Sequence, residues 1–143
     1  MTRNEVRIGA SFRDPGGFLF WRDGELYRQV NRISEVDYRR LMDSGLYSRL
    51  VKMSLLIPHR EVNIEPADPG QAACIIQPER VEFISYPYEW CFSQLKDAAL
   101  TTLAIQKEAL EFNLSLKDAS AYNIQFHQGR PMLIDTLSFE QYK

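Results

Sequence analysis

Three side chains in the last quarter of the chain have the chemistry of a magnesium–phosphate site. Asp118 and Asn123 lie five residues apart in the polar segment 115–123, and Asp135 follows directly after the apolar run 132–134. One carboxylate can orient an attacking hydroxyl and accept its proton, while an amide oxygen and a second carboxylate can hold Mg²⁺. We therefore interpret Asp118 as a candidate catalytic residue, and Asn123 and Asp135 as candidate metal ligands.

The spacing resembles the protein-kinase pattern, in which Asp-x-x-x-x-Asn is followed by a hairpin and a metal-binding aspartate. A long helix is predicted for residues 89–113, and the Gln128-Gly129 turn predicts a hairpin between residues 124–126 and 132–134. A loop followed by a hairpin can direct the three polar side chains into one cleft. This ordered context favours a kinase-like fold over a chance match.

A purely structural role is the alternative for the same residues. Asp118 would cap a turn, Asn123 would adopt a left-handed backbone conformation, and Asp135 would cap the residues that follow it. Both interpretations remain open at the level of the sequence.

The first part of the chain predicts a three-stranded antiparallel meander. The strand-like runs are residues 6–12, 18–22 and 25–31. The turn Asp14-Pro15-Gly16-Gly17 separates the first two runs, and Asp23-Gly24 is a hairpin signal between the second and third. In the third run Leu26, Arg28 and Val30 alternate with Tyr27 and Gln29. A meander followed by a helix is the order of elements in a kinase N-terminal lobe.

The resemblance to that lobe implies further residues at a bound nucleotide. Gly16 and Gly17 take the place of a reduced glycine loop, and Arg28 takes the place of the basic residue on the third strand. Lys117, beside Asp118, is another candidate cation. These four residues, as cofactor-binding groups, imply ATP and Mg²⁺ as cofactors.

Helices and short strands are predicted for the middle of the chain. Ser34 predicts the start of a first helix, which Gly45 ends or bends. The remaining predictions are a helical stretch over 46–56 stopped by Pro58, a loop over 63–73, and short strands at 74–76 and 81–84. The predicted fold class is α+β, with a small antiparallel sheet plus helices that resemble a kinase N-lobe and the start of the C-lobe.

The composition argues against several classes of protein: those that bind nucleic acid, those that span a membrane and those that are secreted. A chain of 143 residues suits a single domain over 1–143, and its net charge of -2 gives no cationic field for nucleic acid or anionic lipid. No apolar run reaches the ~20 residues of a membrane span, and no signal-peptide core follows Met1. We therefore predict a cytoplasmic protein with no nucleic-acid or membrane partner. Cys74 and Cys91 lie among apolar residues, which predicts two buried thiols.

Several departures from the kinase pattern favour a module without catalytic activity. The glycine loop has two glycines, and Arg28 stands where lysine is usual. No histidine precedes Lys117, and Thr136-Leu137 follows Asp135 where Phe-Gly is usual. These departures leave open whether any enzyme activity exists.

Longer strings resemble a bacterial family described as S-adenosylmethionine-dependent methyltransferases, some of them nodulation-protein-like. The strings are Phe12 to Phe18, Leu26 to Asn31, Ile84 to Leu100, Ser115 to Phe126 and Leu133 to Glu140. The resemblance implies that such a segment is the N-terminal part of a longer protein and that a methyltransferase domain follows it. The chain contains no strand-then-Gly-x-Gly signature, so this segment is not expected to bind the methyl donor.

Two functions compete. The first is a non-catalytic or degenerate kinase-like module, a pseudokinase, attached to a downstream methyltransferase domain. The second is a Mg-nucleotide-binding phosphotransferase domain that acts on a small molecule. Leu137, Phe139 and Tyr142 need burial, which predicts exposed apolar surface or a homo-oligomer. The segment Tyr86-Pro87-Tyr88 is the predicted hinge, where tyrosines either pack in the core or stack on a ligand.

Overall fold

The computed structural model describes residues 5–7, 15–81 and 84–143, with the backbone alone for residues 5–7. The described chain divides into two compact units. The first comprises Met1–Val36 and Pro58–Arg80, and the second comprises Asp37–Ile57 and Val81–Lys143. Helices and antiparallel strands occur together, so the predicted α+β class is confirmed. The assignment of residues 1–143 to one domain stays a prediction.

The first unit is built on a five-stranded antiparallel sheet. Its strands, in the order β1-β2-β3-β5-β4, are β1 (Glu5–Arg7), β2 (Gly17–Arg22), β3 (Glu25–Asn31), β4 (His59–Val62) and β5 (Ala72–Pro78). The predicted meander is confirmed for the described residues, because β1, β2 and β3 are antiparallel neighbours. Most of the predicted first strand, residues 8–12, lies outside the described residues, as does the turn residue Asp14.

The hairpin between β2 and β3 follows from local turn chemistry. Asp23 and Gly24 have φ values of 51° and 81°, which is the pair of positive angles that a type I′ turn requires. The turn sets the register, so that Arg22 pairs with Glu25. This register confirms the predicted alternation of side chains along the third strand.

A loop after β4 covers one face of the sheet. Phe18, Phe20 and Ile75 form an apolar cluster on this face. Beside the cluster lies Gln29, which is fully buried: its Oε1 accepts from the Asp68 backbone N at 2.9 Å, and its Nε2 donates to the Asp68 carbonyl at 3.0 Å. A buried amide needs such partners, so Gln29 anchors the loop to the sheet.

The described residues of the second unit form three α-helices and two antiparallel strand pairs. The helices are α1 (Glu35–Asp43, whose first two residues belong to the first unit), α2 (Leu46–Lys52) and α3 (Phe92–Glu111). The strands are β6 (Leu114–Leu116), β7 (Ile124–His127), β8 (Arg130–Leu133) and β9 (Phe139–Gln141), with β6 paired to β9 and β7 paired to β8. The predicted hairpin at Gln128-Gly129 is confirmed.

The core of the second unit draws on all three helices. Its fully buried residues include Leu41, Leu50, Ile105 and Phe139. None of the helices within residues 15–81 and 84–143 combines the length and the apolarity that crossing a bilayer requires.

The predicted helical stretch over 46–56 is too long. Gly45, with φ 93°, separates α1 from α2 as expected, but α2 ends at Lys52. Ser54 adopts a left-handed φ of 59°, and the Leu55 N–H bonds back to the Leu50 carbonyl at 2.9 Å. Leu56 then pairs with Leu133, so these last residues are extended. Pairing with a distant strand overrides local helix propensity here.

Three further expectations need correction. Strand β4 was not predicted, because the run His59–Val62 carries charged side chains. Val81 and Ile84 lie outside any strand, and residues 82–83 lie outside the described residues. Cys91 is exposed at the start of α3, where a hydrogen bond with the Ser93 hydroxyl lowers the pKa of its thiol.

His59 makes the stability of the fold dependent on pH. Burial lowers its pKa from 6.5 to about 4, against a smaller opposing effect of Glu61. The unfolded chain therefore binds a proton near pH 6.5 and the folded chain only near pH 4. We expect the free energy of unfolding to be retained above pH 6.5 and to fall by about 1–3 kcal/mol between pH 6.5 and 4.

Urea denaturation at several pH values measures this effect. The His59→Gln variant serves as the control, since other acidic groups also titrate near pH 4. The variant should lose less stability than the wild type in this window. Identical pH slopes for the two proteins would contradict the assignment to His59.

Candidate functional site

The acidic loop, residues 118–123, is attached at its entry to the segment that follows Asp135. Leu116 pairs with Phe139 in the β6–β9 ladder. The Lys117 backbone N–H then donates to the Ser138 carbonyl at 2.7 Å. The residue directly before Asp118 is therefore bonded through its backbone to the segment that follows Asp135.

The exit of the acidic loop is attached to the residues on the other side of Asp135. Ile124 pairs with Leu133 in the β7–β8 ladder. The Ile134 N–H donates to the Asn123 carbonyl at 2.9 Å, which extends the ladder by one step. Asn123 and Asp135 thus lie at neighbouring positions at the end of the hairpin. Both ends of the acidic loop are held by the segment 134–138.

Asp118 also shapes its own loop. Its Oδ1 accepts from the Ser120 backbone N at 2.8 Å, and the Ser120 Oγ accepts from the Tyr122 N at 3.2 Å. The carboxylate is exposed. These side-chain bonds start the 3-10 turn Ala121–Asn123. The alternative prediction, that Asp118 caps a turn, is confirmed.

Asp135 has a similar local bond. Its Oδ1 accepts from the Leu137 N at 2.9 Å, and its side chain is half-buried. The prediction that Asp135 caps the following residues is confirmed as well. Among described residues other than glycine, positive φ occurs at Asp23, Ser54, Asn113 and Gln128. The prediction of a left-handed Asn123 was therefore wrong.

One buried polar atom in the acidic loop and one in segment 134–138 have no hydrogen-bond partner in the described part of the chain. They are Nδ2 of Asn123 and Oγ of Ser138. A buried polar group without a partner costs about 1–3 kcal/mol. Such a group in a native protein therefore needs an explanation, such as a bound ligand or a functional role. Rotating the Asn123 amide by 180° puts its oxygen in this buried position, and an amide oxygen is a ligand that Mg²⁺ accepts. In that orientation Asn123 would offer an oxygen to a magnesium ion, and binding of the ion stays a prediction.

A metal at this place would need ligands from outside the protein. Within residues 15–81 and 84–143, no group of three or more His, Cys, Asp or Glu side chains is placed to hold a metal ion. Mg²⁺ is commonly bound by one or two carboxylates, with phosphate oxygens and water completing its octahedron. Asp135 and Asn123 would be the protein's contribution to such a site.

Lys117 points its charge toward helix α1. Its Nζ lies 3.2 Å from Oδ2 of Asp37, whose Oδ1 lies 3.7 Å from the guanidinium of Arg40. No sequence pattern predicts this pair, because 80 residues separate the two partners. The role of Lys117 toward a phosphate stays a prediction.

Gly16, Gly17 and Arg28 belong to the first unit. Arg28 is buried in the middle of β3, opposite Leu19 on β2 and Ile76 on β5. Gly17 begins β2, and the Gly16 carbonyl accepts from the Asn31 N at 2.8 Å. Arg28 thus lies on the third strand, as expected. Its contact with phosphate and the role of the two glycines stay predictions.

Sequence reasoning missed the role of Gln125 in fixing the predicted hinge. Gln125 is buried on β7, its Oε1 accepts from the Ser85 N at 2.9 Å, and its Nε2 donates to the Ser85 carbonyl at 2.8 Å. The Trp90 Nε1 donates to the Ser85 Oγ at 2.9 Å. The available signal was a polar residue between Ile124 and Phe126 on an apolar strand.

Tyr86 and Tyr88, which follow Ser85, stack on each other. Their ring centroids lie 5.5 Å apart at an interplanar angle of 3°, and the side chains are 44% and 76% exposed. Core packing is therefore wrong for these two tyrosines, whereas Trp90 is buried.

Replacing Gln125 should destabilise the second unit. The Gln125→Leu variant keeps a similar volume but leaves both backbone groups of Ser85 without these partners. We expect a loss of about 2–3 kcal/mol in the free energy of unfolding, because each buried unpaired group costs about 1–3 kcal/mol. Urea denaturation measures it, with Gln128→Leu on the exposed turn as the control. Equal stabilities of the two variants would contradict a stabilising role for the Gln125–Ser85 hydrogen bonds.

Comparison with known proteins agrees with part of the sequence resemblance. The chain is 36% identical over 144 residues to the nodulation protein NoeA of Rhizobium meliloti (strain 1021). Nearly all of the chain is therefore similar to one part of a nodulation protein. The match includes 96% of this chain but 29% of the relative, so the chain spans less than a third of that bacterial protein's length. No family model matches the chain.

Proposed function

We propose that this chain is a degenerate, kinase-like module that binds a magnesium–phosphate group beside Asp135 and Asn123 without transferring it. The observation that carries the proposal is the double attachment of the acidic loop: its entry bonds to Ser138 and its exit bonds to Ile134. This arrangement keeps Asp118, Asn123 and Asp135 at one end of two strand pairs. The buried amide of Asn123 adds a polar atom that a ligand would satisfy.

The absence of phosphoryl transfer is supported by how the neighbouring groups are engaged. The Asp118 carboxylate accepts a bond from its own loop at Ser120, and Lys117 is paired with Asp37. A catalytic base must be available to take the proton of an attacking hydroxyl. Bound Mg²⁺ would neutralise phosphate charge at this site.

The proposed partner is a methyltransferase domain in a longer protein. Support comes from the sequence resemblance and from the greater length of the nodulation protein NoeA, of which the chain covers 29%. The module would then serve that domain by holding a phosphorylated ligand. A cytoplasmic location belongs to the same proposal.

Titration calorimetry with ATP and Mg²⁺ tests the proposal on the 143-residue chain. We expect heat of binding at ligand concentrations up to about 1 mM, strongly reduced when EDTA removes the metal. No heat at that concentration would leave the acidic loop with a structural role alone. Inorganic phosphate with Mg²⁺ is the matched probe for recognition without the nucleoside.

A small-molecule phosphotransferase is the second candidate function. The exposure of the Asp118 carboxylate favours it, because an attacking hydroxyl could reach this group. Release of ADP from Mg-ATP, abolished in the Asp118→Asn variant while ATP binding persists, would establish transfer. Binding without any such turnover would support the non-catalytic module.

A further inference from the structure

Gln106, a half-buried residue on helix α3, is bonded to the strand that leads into the acidic loop. Its Oε1 accepts from the Leu116 backbone N at 2.9 Å, and its Nε2 donates to the Ser115 Oγ at 2.9 Å. Leu116 lies two residues before Asp118. A side chain of the helix therefore holds the backbone close to the entry of the loop.

The register of the β6–β9 pair explains why Leu116 needs this partner. The Lys117 N–H bonds to the Ser138 carbonyl, so Lys117 and Ser138 are a hydrogen-bonded pair of the ladder. Hydrogen-bonded and non-hydrogen-bonded pairs alternate along antiparallel strands, and the next pair is Leu116 with Phe139. The Leu116 N–H is therefore directed away from β9. In the described part of the chain β6 pairs with β9 alone, so Gln106 supplies the acceptor on the other edge.

The helix gives this bond a rigid origin. Ile105, the residue before Gln106, is fully buried in the main apolar cluster of the second unit. Side chains on packed helices position a site more accurately than residues on loops do. Strand β6 has only three residues, and an isolated pair of strands is marginally stable at best. The bond from α3 therefore fixes a strand that β9 alone would hold weakly.

The same kind of amide bonding fixes two other segments of the chain. Gln29 bonds through both amide atoms to the backbone of Asp68, and Gln125 bonds in the same way to the backbone of Ser85. In both places the amide takes the role of a neighbouring strand. Gln106 differs from these two glutamines because the segment that it fixes leads directly into the candidate site.

We propose that Gln106 is a positioning residue for the acidic loop. Its bond to Leu116 and the bond of Lys117 to segment 134–138 hold two consecutive residues from opposite edges of β6. Together they set the direction in which the chain enters Asp118. The consequence for ligand binding rests on the proposed magnesium–phosphate site, whereas the positioning of the loop itself does not.

Amide hydrogen exchange without nucleotide tests the positioning. Gln106→Met keeps the length of the side chain but removes both hydrogen bonds. We expect the amides of Lys117 and Ser120 to exchange at least about fivefold faster in this variant, with the Ile105 amide unchanged. Gln106→Glu keeps an acceptor for the Leu116 N–H and should restore the wild-type rates. Unchanged exchange at Lys117 and Ser120 overturns the proposal, as does an equal acceleration at Ile105, which would show a general loss of stability.

Titration calorimetry with Mg-ATP separates this inference from the proposed function. Where the wild type binds, Gln106→Met should bind about three- to tenfold more weakly, because the loosened loop must be ordered on binding. Gln106→Glu should bind like the wild type, and so should the matched control Lys107→Met, which introduces the same residue at the exposed next position of α3. Equal affinities of the wild type and Gln106→Met overturn the role in binding. Absence of heat from the wild type contradicts the magnesium–phosphate site, and the exchange rates then decide the positioning alone.

Discussion

The Asp135→Asn variant should lose the magnesium-dependent stabilisation by ATP that we expect of the wild type. Its amide oxygen can still accept the Leu137 N–H, so the turn is kept while the negative charge is removed. A ligand at 100 times its dissociation constant raises the free energy of unfolding by about 2.7 kcal/mol. We expect nearly all of this increment to vanish, measured by thermal unfolding with and without Mg-ATP. Asp135→Ala should lose the same increment, with an additional cost from the missing turn bond.

Asp118→Asn is the matched control at the other carboxylate. Its amide oxygen can likewise keep the bond from the Ser120 N. Because Asp118 is proposed as a base rather than as a metal ligand, this variant should retain at least half of the stabilisation by Mg-ATP. Equal stabilisation of wild type and Asp135→Asn would remove Asp135 from the proposed site.

Replacing Phe139 by alanine should cause the largest loss of stability in the second unit. Phe139 is 1% exposed, lies on β9 opposite Leu116, and packs in the main apolar cluster. Removing a buried phenylalanine side chain costs about 3–5 kcal/mol, from lost burial and the cavity left behind. Urea denaturation gives the change, and the same variant should weaken Mg-ATP binding because β9 anchors the acidic loop.

Tyr142→Ala provides the comparison for this effect. Tyr142 is also aromatic and lies three residues later, but it is 58% exposed. We expect a change of less than about 1 kcal/mol for it. Similar losses for the two variants would show that the β6–β9 pair is not part of the cooperative core.

Elements with strong local signals were predictable from the sequence. The bounds of β3 agree with the predicted strand, and the β2–β3 and β7–β8 hairpins were predicted from the turns Asp23-Gly24 and Gln128-Gly129. Positive φ angles are favoured at Gly24 and Gly129 and tolerated at Asp23 by the residue types themselves, so local chemistry goes far to select these turns. The same holds for the break at Gly45.

Helix α3 shows where periodicity stops being informative. The sequence located the helix but not its buried face. The core uses Ala98, Ile105 and Ala109, while the larger apolar side chains Phe92, Leu95, Leu103 and Leu110 are exposed. Both faces satisfy a helical repeat. Which face becomes buried depends on the shape of the elements packed against it, and that information is not local.

The sequence by itself determined the residue types of the candidate site and their order along the chain. Tertiary structure decided how they are held: Lys117 is paired with Asp37, Gln125 fixes Ser85, and segment 134–138 holds both ends of the acidic loop. It also made residues 53–56 non-helical by pairing Leu56 with Leu133. Each of these outcomes joins groups that lie far apart in sequence, and such bonds form only when collapse brings their backbones together and excludes water from their polar groups.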